Sequence, residues 1–376
     1  MSTVYIHIGT PKTGTSAIQV FMQKKKNRKL LKQHGYDYPN LGFDFPGINS
    51  NRNAHCLNPF IYDSNKKRQR DKEKEVVEQA FDKIEKRLEK VENLIFSDEQ
   101  MWNNKDIDKE RLTYFKDRLA KAGADLKIIV YFRRQDLLIQ SYWAQQVKEN
   151  MTVSFSEYIK SKKAQYFKLD YAKRLDEIAQ AVGKENIIVR AYEKQQYYGG
   201  TILSDFLHIF DVELTEEFVL PKQAINVSLD GACLEAKRLL NYNKLYTTKM
   251  NFVVPMLTAV QQEKMGETGY STAKYFSNEE HEEFLKKYEE GNRKVAREYM
   301  GREDGILFRD EVVLSGDGKA ATYTSKELVQ ILGEVIAQQQ EIISEKEKEI
   351  EEFKAPVKGK VHWAKRVAKR VLGREE

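Results

Sequence analysis

A short apolar, β-branched run, Val4-Tyr5-Ile6-His7-Ile8, feeds without a linker into Gly9-Thr10-Pro11-Lys12-Thr13-Gly14-Thr15-Ser16, and Ala17-Ile18-Gln19-Val20-Phe21-Met22 then opens a helix. A strand that delivers a Gly-rich loop to a helix N-terminus makes an anion cradle. The first helical N–H groups have no intrahelical partner, and the macrodipole places partial positive charge there. Gly9 and Gly14 can adopt backbone angles that aim successive N–H groups inward. Lys12 adds a full charge, and Thr15 and Ser16 add hydroxyl donors.

The spacing from Gly9 to Gly14 is that of the nucleoside-triphosphate loop G-x-x-x-x-G-K-[ST], but Thr15 stands where that loop requires lysine. The lysine lies inside the loop instead, two residues before the second glycine. This departure weighs against a kinase or GTPase built in the usual way, which remains the alternative reading. A nucleotide-binding, membrane-tethered scaffold without activity is a further alternative.

The remaining strands and helices alternate. Residues 64–92 form a charged helix with Val77, Ala80, Phe81, Ile84, Leu88 and Val91 at helical spacing. Residues 92–97 read as a second strand, 108–122 as a helix, 126–132 as a third strand and 135–149 as a helix. Helices near 154–161 and 170–182, a strand at 186–192 and a helix at 200–210 follow, with Gly183 as a C-cap. Residues 34–39 read as a turn, and 40–62 as a long loop without period. Such loops are often functional. The pattern predicts an α/β, P-loop-like three-layer fold with a mainly parallel central sheet flanked by helices. Ligands of such sheets bind beyond the strand carboxyl ends, where the loop 9–16, Ser97–Glu99 and Arg133–Arg134 should converge. Helices are expected over 227–242, 255–265 and 278–300, packed around the sheet. The domain runs over 1–310, followed by a helix at 322–354 and a basic tail at 355–376.

Arg133 ends the third strand and Ser141 lies eight residues on, two turns into a helix. Together with Pro11-Lys12-Thr13-Gly14-Thr15-Ser16, the stretch Tyr131-Phe132-Arg133-Arg134-Gln135-Asp136-Leu137-Leu138-Ile139-Gln140-Ser141-Tyr142 resembles the two nucleotide motifs of sulfotransferases that use 3′-phosphoadenosine 5′-phosphosulfate (PAPS). The likeness is to bacterial carbohydrate sulfotransferases related to heparan-type enzymes. It extends through Asn226-Val227-Ser228-Leu229, Asn292-Arg293-Lys294-Val295-Ala296-Arg297-Glu298-Tyr299 and Leu307-Phe308, covering about residues 1–310.

The resemblance implies transfer of a sulfuryl group from PAPS to a hydroxyl or amine of a carbohydrate, releasing adenosine 3′,5′-bisphosphate without a metal. The acceptor would be a surface polysaccharide or lipid-linked glycan. It implies that Lys12, Thr13, Gly14, Thr15 and Ser16 hold the 5′-phosphate, with Lys12 also neutralising the leaving oxygen. Arg133 and Ser141 would hold the 3′-phosphate, since a guanidinium fork matches phosphate and a hydroxyl adds an oriented bond. A general base is needed for the acceptor. Glu99, after the second strand, is the first choice, and His55, on the long loop, is the rival.

Composition narrows the partners. The net charge is +6, but residues 355–376 carry +5 of it, which leaves a nearly neutral body and no case for nucleic acid along it. Only Cys56 and Cys233 are present, no apolar run of transmembrane length occurs, and the N-terminus lacks a secretory pattern, so a cytoplasmic setting is expected. Val329, Leu332, Ile336, Gln339, Ile343, Lys346, Ile350 and Phe353 alternate steps of three and four. That seam, within 326–353, serves either a coiled coil joining subunits into a homo-oligomer or a helix docked on its own domain. Lys358 to Leu372 reads as a basic amphipathic helix suited to an anionic membrane surface, which would make the protein peripheral on the inner face, or else as a disordered tail.

Overall fold

Five parallel strands build the sheet: β1 (Ser2–His7), β2 (Tyr36–Asp37), β3 (Asn93–Ser97), β4 (Ala124–Phe132) and β5 (Ile187–Ala191), in the order β2-β3-β1-β4-β5. They belong to a computed structural model that describes residues 2–165, 167–221, 229, 231–243, 253–265 and 274–371, with side chains at 163, 165, 264, 265, 352 and 354–371 excepted. β1 lies at the centre, with His7 level with Ser97 of β3 on one side and Ile129 of β4 on the other. Apolar residues fill both faces, as a parallel sheet covered by helices requires.

On one face Tyr5, Ile95, Ile129 and Tyr131 pack with Ile18, Phe21 and Met22 of α1 (Thr15–Gln23) and Leu31 of α2 (Lys25–Gln33). Phe206 and Leu207 from a later helix, Ile202–His208, complete that layer. The other face of the sheet presents Val4, Ile6, Phe96, Ile128, Val130 and Phe132, all fully buried. Phe132 stacks on Tyr171 at 4.0 Å and meets the edge of Trp102 at 5.0 Å. The helices of the middle of the chain are α3 (Arg70–Leu88), α4 (Lys109–Lys121), α5 (Gln135–Glu149), α6 (Phe155–Lys160), α7 (Lys162–Gln165) and α8 (Tyr171–Val182); Ile202–His208 is α9. The architecture is the expected α/β one, a parallel sheet flanked by helices.

Local differences from the sequence reading have local causes. The helix expected from residue 64 begins at Arg70, because the Asp63 carboxylate accepts from the N–H groups of Asn65 and Lys67 and folds 63–68 into a turn. The expected turn at 34–39 contains β2, two residues that pair with Asn93 and Leu94. Gly183, at φ 91°, caps α8 as expected, its N–H reaching the Ala179 carbonyl.

The residues fall into two compact units. The first comprises 1–143, 155–226 and 274–320, and so holds the sheet with helices α12 (Asn278–Lys286) and α13 (Glu289–Met300). The second comprises 144–154, 227–273 and 321–376, with α10 (Gly231–Leu240), α11 (Val253–Met265) and α14 (Ser325–Val371). Among the described residues, no helix is long and apolar enough to cross a membrane. α14 runs as one helix through Val371; the expected basic face beyond Phe353 lies outside the described side chains.

A buried ionic cluster ties the end of the first unit to β4. Arg134 makes a two-point contact with Asp136 at 2.8 and 3.1 Å, and its Nη1 donates to the Asp310 carbonyl at 2.7 Å. His281 Nε2 lies 2.8 Å from Asp136 Oδ2, the oxygen that Arg134 Nη2 also contacts. Burial alone would raise the Asp136 carboxyl, but the His281 bond and the Arg134 charge outweigh it and bring it down to about 2. Removing one partner strands buried charge, so Asp136→Ala should cost about 3–5 kcal/mol in urea denaturation. A loss below about 1 kcal/mol would show that the cluster is not what fastens this segment.

Candidate active site

The loop after β1 is built as an extension of the sheet. Ile8 donates to the Ile129 carbonyl at 3.0 Å, Tyr131 donates to the Gly9 carbonyl at 2.7 Å, and Thr10 donates back to the Tyr131 carbonyl at 2.9 Å. The β1–β4 pairing therefore continues into the loop. Thr13 then bonds the Thr10 carbonyl through its hydroxyl at 2.5 Å. Lys12 takes a left-handed φ of 66°, and Gly14, at φ 72°, is the N-cap of α1 with no side chain to cap it. The start of α1 is thus left for an external anion. Thr15 is buried, and its hydroxyl has no hydrogen-bond partner within the described residues. A buried hydroxyl at a helix N-terminus fits an anionic group such as a phosphate.

Close packing explains both glycines. A Cβ on Gly9 would sit 2.9 Å from the Glu99 carbonyl oxygen, and one on Gly14 would sit 3.2 Å from the Tyr192 ring. Both positions also have positive φ, which other residues adopt only with strain. Tyr192 follows β5, and the Arg133 guanidinium lies over its ring at 5.8 Å. Arg133 follows β4, and its Nη1 donates to the Lys12 carbonyl at 3.3 Å. The structure therefore brings Lys12 and Arg133 into direct contact, although 121 residues separate them. Burial lowers the Arg133 guanidinium somewhat, with the neighbouring Tyr192 opposing the shift. Ser141 is half-buried in α5, two turns on.

Glu99 and His55 join one charged cluster at the end of β3. Asp98, fully buried, accepts from Arg52 Nη2 at 2.6 Å and lies 2.9 Å from His55 Nδ1. Burial would raise the Asp98 carboxyl, but the His55 bond and the Arg52 charge hold it below the usual carboxylate range. Arg52 Nε is also 3.9 Å from Glu99 Oε2. Gln19, on the helix that follows the anion loop, donates to that same oxygen at 2.8 Å. Glu99 is thus held from the loop side, whereas His55 is buried with its ring edge-on to Phe45 at 4.8 Å. The long loop surrounds a small recess lined by Asn40, Phe43, Phe45, Asn49, Arg52 and Asn53.

Sequence reasoning did not single out Arg52, Asp98, Gln19, Tyr192 or His7. An Asp just past a strand end and an aromatic residue just past another were visible signals; Gln19 gave none. His7, the last residue of β1, is fully buried, with Nδ1 2.9 Å from Ser97 Oγ, and Gln19 donates to the same hydroxyl at 3.2 Å. Gln135 and Asn292 exchange amide bonds at 2.7 and 3.0 Å, and the Leu307 carbonyl accepts from Gln196, so these later positions act within the scaffold. Asn226-Val227-Ser228 lies outside the described residues.

No family model matches the chain. A protein of Archaeoglobus fulgidus, described only as uncharacterized, is 29% identical over 188 residues, covering 50% of this chain and 49% of that one. The chain thus matches about half the length of that relative. Among solved structures, a sulfotransferase from Alicyclobacillus acidocaldarius is similar at a TM-score of 0.34 and 13% identity, over 65% of this chain and 96% of that one. A likeness at that level carries no weight for the chemistry, which rests on the geometry above.

Burial brings the His7 imidazole down from 6.5 to about 4. The unfolded chain therefore binds this proton first as the pH falls. The native state holds the full benefit of a neutral His7 above pH 6.5 and loses it toward pH 4, at about 1.4 kcal/mol per pH unit. Urea denaturation between pH 6.5 and 4.5 should show that slope, and His7→Gln should abolish it. Equal slopes in the two proteins would place the acid sensitivity elsewhere.

Proposed function

We propose that the site transfers a sulfuryl group from PAPS to a hydroxyl or amine of a carbohydrate acceptor. The observation that carries this reading is the hydrogen bond from the Arg133 guanidinium to the Lys12 carbonyl, which joins two cationic residues that follow strands far apart in sequence. An adenosine phosphorylated at both ends needs such a pair, one for each phosphate. The unpartnered Thr15 hydroxyl at the start of α1 supports a phosphate in the loop. Lys12 inside the loop, rather than after Gly14, argues against a kinase.

In this reading the N–H groups of Thr13 to Ser16 and the Thr15 hydroxyl bind the 5′-phosphate, while Arg133 and Ser141 bind the 3′-phosphate. PAPS supplies the sulfuryl group as cosubstrate. Glu99 accepts the proton of the acceptor hydroxyl as its oxygen forms the new bond to sulfur. The bond from sulfur to the nucleotide's phosphate oxygen breaks, and that oxygen keeps the electron pair. Lys12 neutralises the charge that develops there, a task that needs positioning and electrostatics rather than covalent chemistry. Glu99 is preferred over His55 because Gln19 on α1 orients its carboxylate and its backbone abuts Gly9. The long loop, with two phenylalanines and several amides around a small recess, would supply acceptor contacts.

Adenosine 3′,5′-bisphosphate at a hundred times its dissociation constant should stabilise the protein by about 2.7 kcal/mol, and ATP with Mg²⁺ should not. A preference for ATP with Mg²⁺ would support a kinase, and no response to either would support a scaffold. With labelled PAPS and a panel of glycans, Lys12→Ala should lower kcat by about 10²–10³-fold. Glu99→Gln should lower kcat by about 10²–10⁴-fold while the nucleotide-induced shift in Tm persists. If His55→Ala behaves in that way and Glu99→Gln does not, His55 is the base.

A further inference from the structure

α14 carries two apolar faces, and only one of them holds fully buried residues. Ile331 and Val335 are buried where α14 packs on α10 and α11. The heptad seam lies on a different face, about a third of a turn round the helix at its start. Along that seam Val329 is 67% exposed, Ile336 69%, Ile343 39%, Ile350 49% and Phe353 84%. Past Val335, no described residue of α14 is buried. The docked alternative for α14 is therefore met by Ile331 and Val335, which are not seam residues; of the seam, Leu332 and Gln339 are half-buried, while Val329, Ile336, Ile343, Ile350 and Phe353 stay exposed.

We infer that this seam joins two copies of the chain as a parallel, two-stranded coiled coil over Val329–Phe353. Val329, Ile336, Ile343 and Ile350 recur every seven residues, and all are β-branched. With Leu332, Gln339, Lys346 and Phe353 three residues after each, they occupy the a and d positions of consecutive heptads; β-branched residues at every a, with Leu at the first d, point to two strands. A strict seven-residue repeat matches itself, so a second copy presents the same knobs and holes. One of the three g-to-e positions along the seam carries opposite charges, and none carries like charges. Glu349 falls at g and Lys354, five residues on, at the following e, the pairing that parallel strands bring together. Gln339 and Lys346 interrupt the seam at successive d positions, which fixes register at some cost in stability. Lys346 is turned to Glu349 of its own helix at 2.8 Å.

The inference is independent of the reaction at the sheet. Analytical ultracentrifugation of the full chain at about 10 µM should give twice the chain mass, and Ile336→Asp with Ile343→Asp should return it to a monomer. Both substitutions are on exposed positions, so the far-ultraviolet circular dichroism and Tm of the body should be unchanged. Phe353→Cys should form a disulfide-linked dimer on oxidation, and should fail to do so when combined with the two aspartates. A monomeric wild-type chain, or a dimer that survives the aspartates, overturns the proposal. A dimer in which Phe353→Cys does not cross-link overturns the parallel arrangement. A monomer that floats with phosphatidylglycerol vesicles, and loses this property with the aspartates, assigns the seam to lipid and also overturns it.

Discussion

The continuation of the β1–β4 ladder into the loop is the constraint on which the site depends. Without the bonds that Gly9 and Thr10 exchange with Tyr131, the loop would be a flexible turn whose lysine could face any direction. With them, two residues of the loop are fixed by backbone hydrogen bonds on the central strand pair. Arg133 follows Phe132, the last residue of β4, and lies within reach of the Lys12 carbonyl. The backbone positions of both residues need no side-chain lock of their own. Sheet pairing, formed by the most buried residues in the chain, sets them.

A second organising centre is the buried carboxylate of Asp98. Its two oxygens face Arg52 and His55 at close range, and Arg52 extends the link to Glu99. Two cationic or potentially cationic groups from the long loop are thus held against the end of β3 by one negative charge. This accounts for a loop of more than twenty residues that is nevertheless buried at Asn51, Asn53, His55 and Cys56. The Asn53 amide adds to it, donating to the Ile95 carbonyl and accepting from the Ser97 N–H. The loop lacks periodic secondary structure, but it is anchored by polar side chains that reach the strand.

Much of this was legible in the chain itself. Strands β1, β3, β4 and β5 show as short β-branched runs, and the alternation with helices gives the parallel sheet. Lys12 and Arg133 stand out because each follows a strand. Other features carry no such signal. β2 is only two residues long, and its pairing with β3 is decided by tertiary contact rather than by local propensity. His7 sits in an apolar run where a histidine looks like filler, and only the structure reveals its link through Ser97 to Gln19. The expected helix over 278–300 breaks at Lys287 and Tyr288 with neither glycine nor proline to announce it. For α14 the seam was readable, but the exposure of its a positions was not, because periodicity does not say which of two faces a neighbour will take.

The bond between Arg133 and the Lys12 carbonyl has a thermodynamic corollary. Because one side chain holds the backbone of the other's residue, the two ends of a bound nucleotide would not be sensed separately. A perturbation at either terminus passes through a single shared peptide group. Free-energy effects of truncating the two cations should then fail to sum, and the shortfall would measure how far the cleft behaves as one cooperative receptor.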